Sequence, residues 1–327
     1  MTRVCHLIDD SSPGGVSRFL DYMRSSKVLA DLADHTIVPV KAGLSRPPKI
    51  DADIILSHVV LSWKNLPFFV ALRARYPAKP LVHMEHSYSP AFEKLHVSSR
   101  KRFRAMLGVS LALFDKVISI SSAQKDWLAA EIRIPNEKIA ILPPCVDLSG
   151  FLRLPATGDE IRSLGAFGRF DEQKGFDILI PAFLQADLSS VTLNLFGDGP
   201  MRPELEALAK GDPRVIFHGF IDDPARAMAT VDAVAMPSRR EPYGLVALET
   251  MAAGRALLVS CVDGLIDHAL NGAFPVQRLT VDDWADAIRA LPITSNVQKR
   301  TYARQIAARA EQNCAEGWRT LLAELTH

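Results

Sequence analysis

The stretch AVAMPSRREPYGLVALETMAAGRALLVS, residues 233–260, places two short apolar runs on either side of a helical segment. The runs Ala233–Met236 and Ala256–Ser260 are predicted as strands, and Pro242 delays the start of the helix until about Gly244. Two strands that are joined through a helix in this way run parallel. The stretch therefore predicts a parallel sheet with helices packed against it.

The same alternation continues along the chain in both directions. The further strands that we predict are Val4–Ile8, Thr36–Val40, Ile54–Ser57, Leu81–His83, Val117–Ser119, Ile139–Leu142, Leu164–Gly168, Val191–Phe196 and Val215–His218. The helices predicted between the early strands are Val16–Ser25, Pro67–Arg75 and Ala123–Glu131. This pattern is typical of an α/β fold built from two Rossmann-like domains, each with a doubly wound parallel sheet.

A segment rich in proline, glycine and small residues interrupts the alternation at 147–160, and we interpret it as a linker. The predicted domains are residues 1–148 and 149–305. The remaining segment, 306–327, is predicted to be helical.

Length and composition are those of a soluble globular protein. The chain has 327 residues, of which 48% are hydrophobic and 23% are charged. This composition argues against a disordered chain, a collagen and a coiled coil. No apolar run approaches the roughly 20 residues of a membrane span, and the first apolar stretch is too short for a signal peptide. The four cysteines lie far apart without zinc spacing, which favours a reducing compartment and predicts no metal site. We expect a cytoplasmic protein, free or peripheral on the inner face of a membrane.

The net charge of +1 conceals an asymmetry between the two halves. Residues 1–147 carry 20 Lys and Arg against 14 Asp and Glu, and the rest of the chain carries 18 against 23. The strongest basic cluster is Arg100, Lys101, Arg102 and Arg104. Such a cluster fits contact with an anionic membrane, and a solvated helix face explains it equally well. Nucleic-acid binding is not favoured, because the surrounding domain is not strongly basic.

Glycine-rich turns follow several of the predicted strands. Residues 11–16, SSPGGV, join the first strand to a helix, and Gly14 and Gly15 would let the main chain approach a phosphate. Residues 196–200, FGDGP, only begin a dinucleotide fingerprint, because Arg202 occupies the position of its last glycine. An ordinary tight turn explains either segment taken alone.

Charged residues in two further loops point to an anionic ligand. In GRFDEQKG, residues 168–175, Arg169 and Lys174 could hold a diphosphate, although two surface cations would look the same. In EPYGLVALE, residues 241–249, the N–H groups of Leu245 and Val246 would lie at a helix N-terminus, where an anion is favoured. Acidic residues are common in first helical turns, but that does not explain one acid before Pro-Tyr-Gly and another eight positions later.

Taken in order, these segments resemble the retaining glycosyltransferases of the GT-B fold, family 4 (group 1) in particular. The matching segments are GGV at 14–16, GRFDEQKG at 168–175, FGDGP at 196–200, FHGFIDD at 217–223 and PSRREPYGLVALETMAAG at 237–254. The resemblance implies two Rossmann-like domains that face each other across a cleft. It also implies a nucleotide-sugar donor held mainly by the second domain, and a last helix that returns to the first.

The resemblance also assigns roles to individual residues. His86 matches the first-domain histidine near the reacting sugar carbon, with His83 as the weaker candidate. The catalytic residues that it implies are His86, Glu241, Arg169 and Lys174. The donor-binding residues that it implies are Gly14, Gly15, Arg169, Lys174, Gly197, Phe220, Ile221, Glu241, Tyr243, Gly244, Leu245, Val246 and Glu249. Within these, Glu249 would hold the ribose, Glu241 the sugar hydroxyls, and Phe220 and Ile221 the base.

The chemistry implied is sugar transfer with retention of configuration and without a metal or other cofactor. The donor would be a UDP- or GDP-sugar. The acceptor would be a hydroxyl of a saccharide or lipid-linked molecule in bacterial surface polysaccharide synthesis. The alternatives are a sugar-nucleotide epimerase of the same fold and a non-catalytic donor-binding partner. Three positions depart from the family pattern: Pro144-Cys145 at the domain junction, Ser17 after GGV, and Asp267 in DGLIDH.

Overall fold

The computed structural model describes residues 1–10, 12, 14–41, 43, 46–158, 160–294 and 297–326. They form two compact units, one of residues 1–147 with 310–327 and one of residues 148–309. Among the helices of the described ranges, none is long and apolar enough to cross a membrane.

The first unit contains a sheet of six parallel strands. Its strands are β1 (Thr2–Ile8), β2 (Ala33–Pro39), β3 (Ile54–Ser57), β4 (Leu81–Glu85), β5 (Lys116–Ser119) and β6 (Ile139–Ile141). Its helices before residue 147 are α1 (Gly15–Ser25), α2 (Lys27–Ala30), α3 (Leu66–Arg75), α4 (Pro90–His96), α5 (Arg100–Ala112) and α6 (Ser122–Ala130). The strand order is β2-β1-β3-β4-β5-β6, so the order reverses between β1 and β3.

The second unit repeats this plan with a second parallel sheet of six strands. Its strands are β7 (Ser163–Phe167), β8 (Thr192–Phe196), β9 (Val215–Gly219), β10 (Ala233–Met236), β11 (Ala256–Ser260) and β12 (Phe274–Val276). Its helices are α7 (Ser149–Leu152), α8 (Phe176–Ala186), α9 (Arg202–Leu208), α10 (Pro224–Met228), α11 (Leu245–Ala252), α12 (Leu265–Leu270), α13 (Val281–Thr294) and α14 (Val297–Ala308). The order β12-β11-β10-β7-β8-β9 reverses between β7 and β10.

The inner strands β3, β4, β10 and β11 are buried on both faces, which is why they appear in the sequence as continuous apolar runs. The edge strands β2 and β9 are partly exposed. Strands β3, β10 and β11 have the bounds predicted from the sequence, and the other predicted strands differ at their ends by up to three residues. Strand β12 was not predicted. It is a three-residue strand at the edge of the sheet with Pro275 in its centre, and proline is tolerated only in such a position.

The two units divide between residues 147 and 148, at the start of the segment 147–160 that was interpreted as a linker, and side chains of the second unit hold this segment. Residues 149–152 form α7, and carbonyl oxygens of the following residues accept from buried or half-buried arginines of the second unit. Arg255 donates to Pro155 O over 2.7 Å, and Arg304 donates to Leu154 O over 3.0 Å. These cations satisfy main-chain oxygens that a proline-rich segment cannot satisfy by itself.

The end of the chain belongs to the first unit as the helix α15 (Ala310–Thr326). Its Trp318 is 1% exposed. The hydroxyls of Tyr22 and Ser26 donate to the carboxylate of Glu311 over 2.6 and 2.5 Å. The helix is thus held by apolar burial at its middle and by hydrogen bonds at its first turn.

Candidate functional site

Lys174 and Glu241 meet where the second sheet reverses its strand order. Lys174 follows β7, Glu241 follows β10, and these strands are neighbours. Nζ of Lys174 donates to Oε2 of Glu241 over 2.6 Å, with 18% and 12% of the two side chains exposed. Open parallel sheets bind ligands at the carboxyl ends of strands beside such a reversal. Two residues that the sequence analysis selected separately therefore come together at a position suited to a ligand.

The main chain of Glu241 is fixed by the loop after β11. Its N–H donates to Oδ2 of Asp263 over 3.0 Å, and its carbonyl oxygen accepts from the N–H of Gly264 over 3.0 Å. The Ser238 hydroxyl also donates to Oε2 of Glu241, over 3.3 Å. Neither Asp263 nor Ser238 was predicted as a site residue. The available signal was position, because Asp263 follows a predicted strand next to β10.

Arg239 joins the loop after β10 to the loop after β7. Its guanidinium donates to both carboxylate oxygens of Asp177 over 2.8 and 2.6 Å, and to Glu172 O over 2.7 Å. Its own N–H donates to Gln173 O over 2.8 Å. This bidentate pair holds the segments that carry Lys174 and Glu241 in a fixed register. Sequence reasoning missed Arg239, because its partner lies 62 positions away.

Glycines permit these loops to pack closely. At Gly175, where φ is +69°, a Cβ atom would lie 2.0 Å from the carbonyl oxygen of Pro237. At Gly197, where φ is +140°, a Cβ atom would lie 1.9 Å from the carbonyl oxygen of Gly168. Both positions therefore require glycine for the fold itself. Gly197 was predicted as a donor-binding residue, and its structural requirement explains the FGDGP segment without a ligand.

The helix α11 begins at Leu245 with Gly244 as its N-cap, close to the predicted start. Leu245 and Val246 occupy its first two positions, where main-chain N–H groups have no partner within the helix. Glu249 lies one turn further along and is 2% exposed. These placements put the predicted anion-binding amides after β10, directly beyond the loop that carries Glu241.

His268 of α12 supports the residue before this helix. Its Nε2 lies 3.1 Å from Tyr243 O, and the two rings are 5.0 Å apart. Burial lowers the pKa of His268 to about 4, so the ring is neutral at pH 7 and donates through Nε2–H. His268, like Asp263, Ser238 and Arg239, was not predicted from the sequence.

Arg169 is less firmly placed than Lys174. Its side chain is 72% exposed, and Nε donates to Oδ2 of Asp171 over 2.7 Å. The other carboxylate oxygen of Asp171 accepts from the N–H of Lys174 over 3.3 Å. Asp171 therefore connects the two predicted cations, while Arg169 keeps the freedom of a surface side chain.

Phe220 and Ile221 follow β9 at the same edge of the second sheet. The side chain of Phe220 is 78% exposed. Ile221 borders a cavity of about 680 Å³ that is also lined by Asn194, His218 and Asp222. Among its described lining residues, neither Lys174 nor Glu241 appears, so this cavity is separate from the ion pair.

The predicted residues Gly14 and Gly15 lie at the start of α1, Gly14 before the helix and Gly15 as its first residue. Ser11 and Pro13 of the same motif lie outside the described residues. Gly14 is the N-cap, and its N–H donates to the hydroxyl of Ser17 over 2.9 Å. Among described residues, the nearest atom to a Cβ at Gly14 would be Ser12 O, at 3.8 Å. The fold leaves room for a side chain at Gly14, unlike at Gly175.

His86 and His83 have different environments. His83 lies inside β4, which extends to Glu85; it is 1% exposed, and its Nε2 is 3.3 Å from Oε2 of Glu85. His86 follows β4, is half-buried, and its Nε2 lies 2.8 Å from Nδ1 of His58. Burial lowers the pKa of His86 to about 4.

The basic cluster on α5 is smaller than the sequence suggested. Arg104 turns inward to Glu93, over 2.5 Å, and to Glu131. Arg100, Lys101 and Arg102 remain exposed. In the part of the chain that the structure describes, no group of three or more His, Cys, Asp or Glu could hold a metal ion.

Comparison with known families identifies the class to which this fold and these loops belong. The family profile for glycosyl transferases group 1 matches residues 161–292, and that for glycosyltransferase family 4 matches residues 17–149. HepE from Anabaena, whose crystal structure is a complex with UDP-glucose, has a similar fold: the TM-score is 0.75 at 19% identity, over 99% of this chain and 100% of that chain. The chain has the two-domain, Rossmann-like GT-B fold.

The chain belongs to the family 4 (group 1) glycosyltransferases. It is 30% identical over 281 residues to the D-inositol 3-phosphate glycosyltransferase of Actinosynnema mirum, covering 76% of this chain and 66% of that protein. It is 40% identical over 116 residues to the lipopolysaccharide core biosynthesis glycosyltransferase LpsE of Rhizobium meliloti, covering 35% and 33%. The chain spans 51%, 27% and 42% of the length of three other curated relatives that it matches.

Proposed function

We propose that this protein is a retaining glycosyltransferase that moves a sugar from a nucleotide-sugar donor to a hydroxyl of a saccharide or lipid-linked acceptor. The observation that carries the proposal is the Lys174–Glu241 pair at the strand reversal between β7 and β10. Beside it, α11 begins at Leu245, and the main-chain N–H groups of Leu245 and Val246 have no partner within the helix. A cation, a carboxylate and a helix N-terminus together suit a molecule that carries both a diphosphate and hydroxyl groups.

The donor diphosphate would bind Lys174, Arg169 and the start of α11. When the bond between the sugar carbon and the diphosphate oxygen breaks, the leaving nucleoside diphosphate gains negative charge. Fixed cations and amides that face this charge lower the barrier. They can do so without a metal ion, and we therefore propose that no metal or other cofactor is required.

Glu241 would change partners when the donor arrives. Both of its side-chain contacts, from Lys174 and Ser238, are made to Oε2. Oε1 takes part in neither contact and can accept a sugar hydroxyl while Lys174 turns toward the phosphate. The ion pair would thus hold both side chains in place before the donor binds, which reduces the entropy lost on binding.

The remaining predicted residues complete the donor site in this proposal. Glu249 would hold the ribose, and main-chain groups near Phe220 and Ile221 would contact the base. In the first unit, the space at Gly14 would admit a phosphate close to the main chain. His86 would act on the transferred sugar, and the acceptor oxygen would attack on the face from which the phosphate leaves. The leaving phosphate would take the acceptor's proton.

The proposal extends to the acceptor and to the location of the protein in the cell. The relationship to LpsE supports bacterial surface polysaccharide synthesis. The exposed Arg100, Lys101 and Arg102 support a peripheral contact of a cytoplasmic enzyme with an anionic membrane. Reversing these three charges should reduce binding to phosphatidylglycerol vesicles, whereas unchanged binding would exclude this contact.

A thermal-shift panel of UDP-, GDP-, ADP- and dTDP-glucose, with and without EDTA, tests the donor assignment. A donor that binds the native state raises the melting temperature by mass action. We expect one nucleotide class to do so, with UDP-glucose first because HepE binds it, and we expect EDTA to change nothing. No shift with any donor, or a shift abolished by EDTA, would contradict the proposed site.

Two product measurements test the reaction itself. The anomeric configuration of the product, read from its proton coupling constants, should equal that of the donor. Glu241→Ala should abolish transfer while circular dichroism stays unchanged. An inverted product would contradict retention, and wild-type turnover in the variant would contradict the role of Glu241.

A further inference from the structure

Four histidines form a diagonal line across the sheet of the first unit. They lie on β2 (His35), β1 (His6), just after β3 (His58) and just after β4 (His86), which are four neighbouring strands. The register pairs His35 with Val4, and Ser57 with both Leu7 and His83. Each histidine therefore lies two residues nearer to the carboxyl edge than the previous one, and all four side chains are on one face.

The four rings are hydrogen-bonded in series. Nδ1 of His35 is 2.9 Å from Nε2 of His6, and Nδ1 of His6 is 2.9 Å from Nε2 of His58. Nδ1 of His58 is 2.8 Å from Nε2 of His86. We call this series the histidine chain. It runs from the interior of the unit to the residue that we assign to the transferred sugar.

Burial keeps the histidine chain uncharged at pH 7. It lowers the pKa of His6 to about 3 and that of His35 to about 4. It also lowers the pKa of His58 well below 6.5. A neutral imidazole has one N–H donor and one acceptor nitrogen. Three such bonds in series can all be made only if every proton points in the same direction, so the tautomer of each ring fixes that of the next.

The inner end of the chain decides between the two directions. Nε2 of His35 is buried, and among the described residues it has no hydrogen-bond partner; the same holds for Nε1 of Trp318. The rings of His35 and Trp318 are 6.0 Å apart in an edge-to-face arrangement. Trp318 can only donate. A proton on Nε2 of His35 would add a second orphaned donor in this place, and buried orphaned N–H groups are rare.

We infer that His35, His6 and His58 are positioning residues that hold His86 in one tautomer, with its proton on Nδ1. Each Nδ1–H donates to Nε2 of the next ring, from His35 to His6, His58 and finally His86. His86 then presents an N–H donor, and the fixed ring orientation is available before the donor binds. This inference rests on the proposed function for the role of His86, but the tautomer itself is a property of the unliganded protein.

The test is a long-range ¹H–¹⁵N correlation spectrum of the full chain labelled with ¹⁵N-histidine, which distinguishes the two ring nitrogens. At pH 7 the four rings should each show a single neutral tautomer protonated on Nδ1. A His86 signal protonated on Nε2, or averaged between the two tautomers, would overturn the inference.

Substitutions show whether His86 depends on the histidine chain. His58→Phe and His58→Leu each remove the ring that donates to Nε2 of His86, and His86 should change to an averaged or Nε2-protonated signal. His96→Phe, an exposed position outside the histidine chain, should leave it unchanged. An unchanged His86 signal in a folded His58→Phe or His58→Leu protein would overturn the inference, and the two variants provide for the case in which one does not fold.

Kinetics separate this inference from the proposed function. If transfer occurs, His58→Phe should lower kcat about tenfold with little change in donor KM, because the variant alters the ring at the reacting sugar rather than donor binding. If the variant changes the His86 tautomer but the wild-type protein has no transferase activity, the proposed function is refuted, while the effect of the histidine chain on the tautomer stands. Normal kcat with a changed tautomer would refute the positioning role.

Discussion

The two units have the same sheet topology, but at the point where the strand order reverses one unit holds charged side chains and the other holds neutral ones. Each has a six-stranded parallel sheet whose order reverses once. Beside the reversal, the second unit holds an ion pair of Lys174 and Glu241. The first unit instead holds the histidine chain, whose rings are neutral. The topology thus provides the position, and the side chains decide whether that position is charged.

The difference follows from exposure. Side chains of the ion pair are 12–18% exposed, so that water and neighbouring dipoles stabilise both charges. His6 is fully buried, and a charge there would lose its hydration without an acidic partner. A ligand with a diphosphate is therefore suited to the second unit, and neutral hydrogen bonding to the first.

Lowering the pH should have the largest effect, and it should destabilise the first unit more than the second. The pKa of an unfolded histidine is near 6.5, whereas His6, His35 and His86 protonate only near 3 to 4. Between these values the unfolded chain binds more protons, so stability falls as pH falls below 6.5. At pH 5 the loss is about 2 kcal/mol for each fully buried histidine. In the second unit, burial lowers the pKa values of His268 and of the less deeply buried His218.

Hydrogen exchange at pH 7 and pH 5, corrected for intrinsic rates and read by mass spectrometry, measures this difference. Peptides from β1 and β4 should lose more protection than peptides from β7 and β10. Equal losses in both units would contradict the neutral state of the histidine chain.

Removing the charge at Lys174 should have the next largest effect. Lys174→Met keeps the length of the side chain but removes its charge, and we expect kcat to fall about 10²–10³-fold. Lys210→Met is the matched control, because Lys210 is an exposed lysine of the same unit. Steady-state kinetics with the donor found in the thermal-shift panel measures both. Equal kcat values in the two variants would show that the ion pair is not part of the site.

Gly175→Ala should disturb the ion pair through the main chain. The added Cβ would lie 2.0 Å from Pro237 O, so the loops after β7 and β10 must separate. Gly211→Ala has a similar φ, +72° against +69°, but no atom within 4 Å of the new Cβ. The difference in unfolding free energy between the two variants isolates the clash, and we expect Gly175→Ala to be less stable by about 2 kcal/mol. Equal stability in denaturant titrations would mean that the loops are not tightly packed.

Arg169→Ala should have the smallest effect. Its side chain is 72% exposed and already paired with Asp171, so its attraction for a diphosphate is screened by water. We expect donor KM to rise about fivefold and kcat to fall only about two- to threefold, far less than in Lys174→Met. A loss as large as that of Lys174→Met would show that Arg169 closes onto the donor and is not a peripheral contact.

The sequence predicted those features that depend on local patterns. Apolar runs located the strands, and Pro242 located the start of α11. The family resemblance placed Lys174 and Glu241 in one donor site, but their ion pair was not predicted, because no local pattern joins positions 67 apart. Arg239 and His268 were missed for the same reason. The histidine chain depends on the register of four strands, and the sequence alone does not define that register.

The most direct test of the central claim is calorimetric titration of UDP and of GDP into the wild-type protein, Lys174→Met and Lys210→Met. The leaving group of the proposed reaction should bind at the ion pair without any acceptor. We predict saturable binding of one nucleotide, at least tenfold weaker in Lys174→Met and unchanged in Lys210→Met. Equal affinity in all three proteins, or no binding of either nucleotide, would contradict the claim that the strand reversal of the second unit is the donor site.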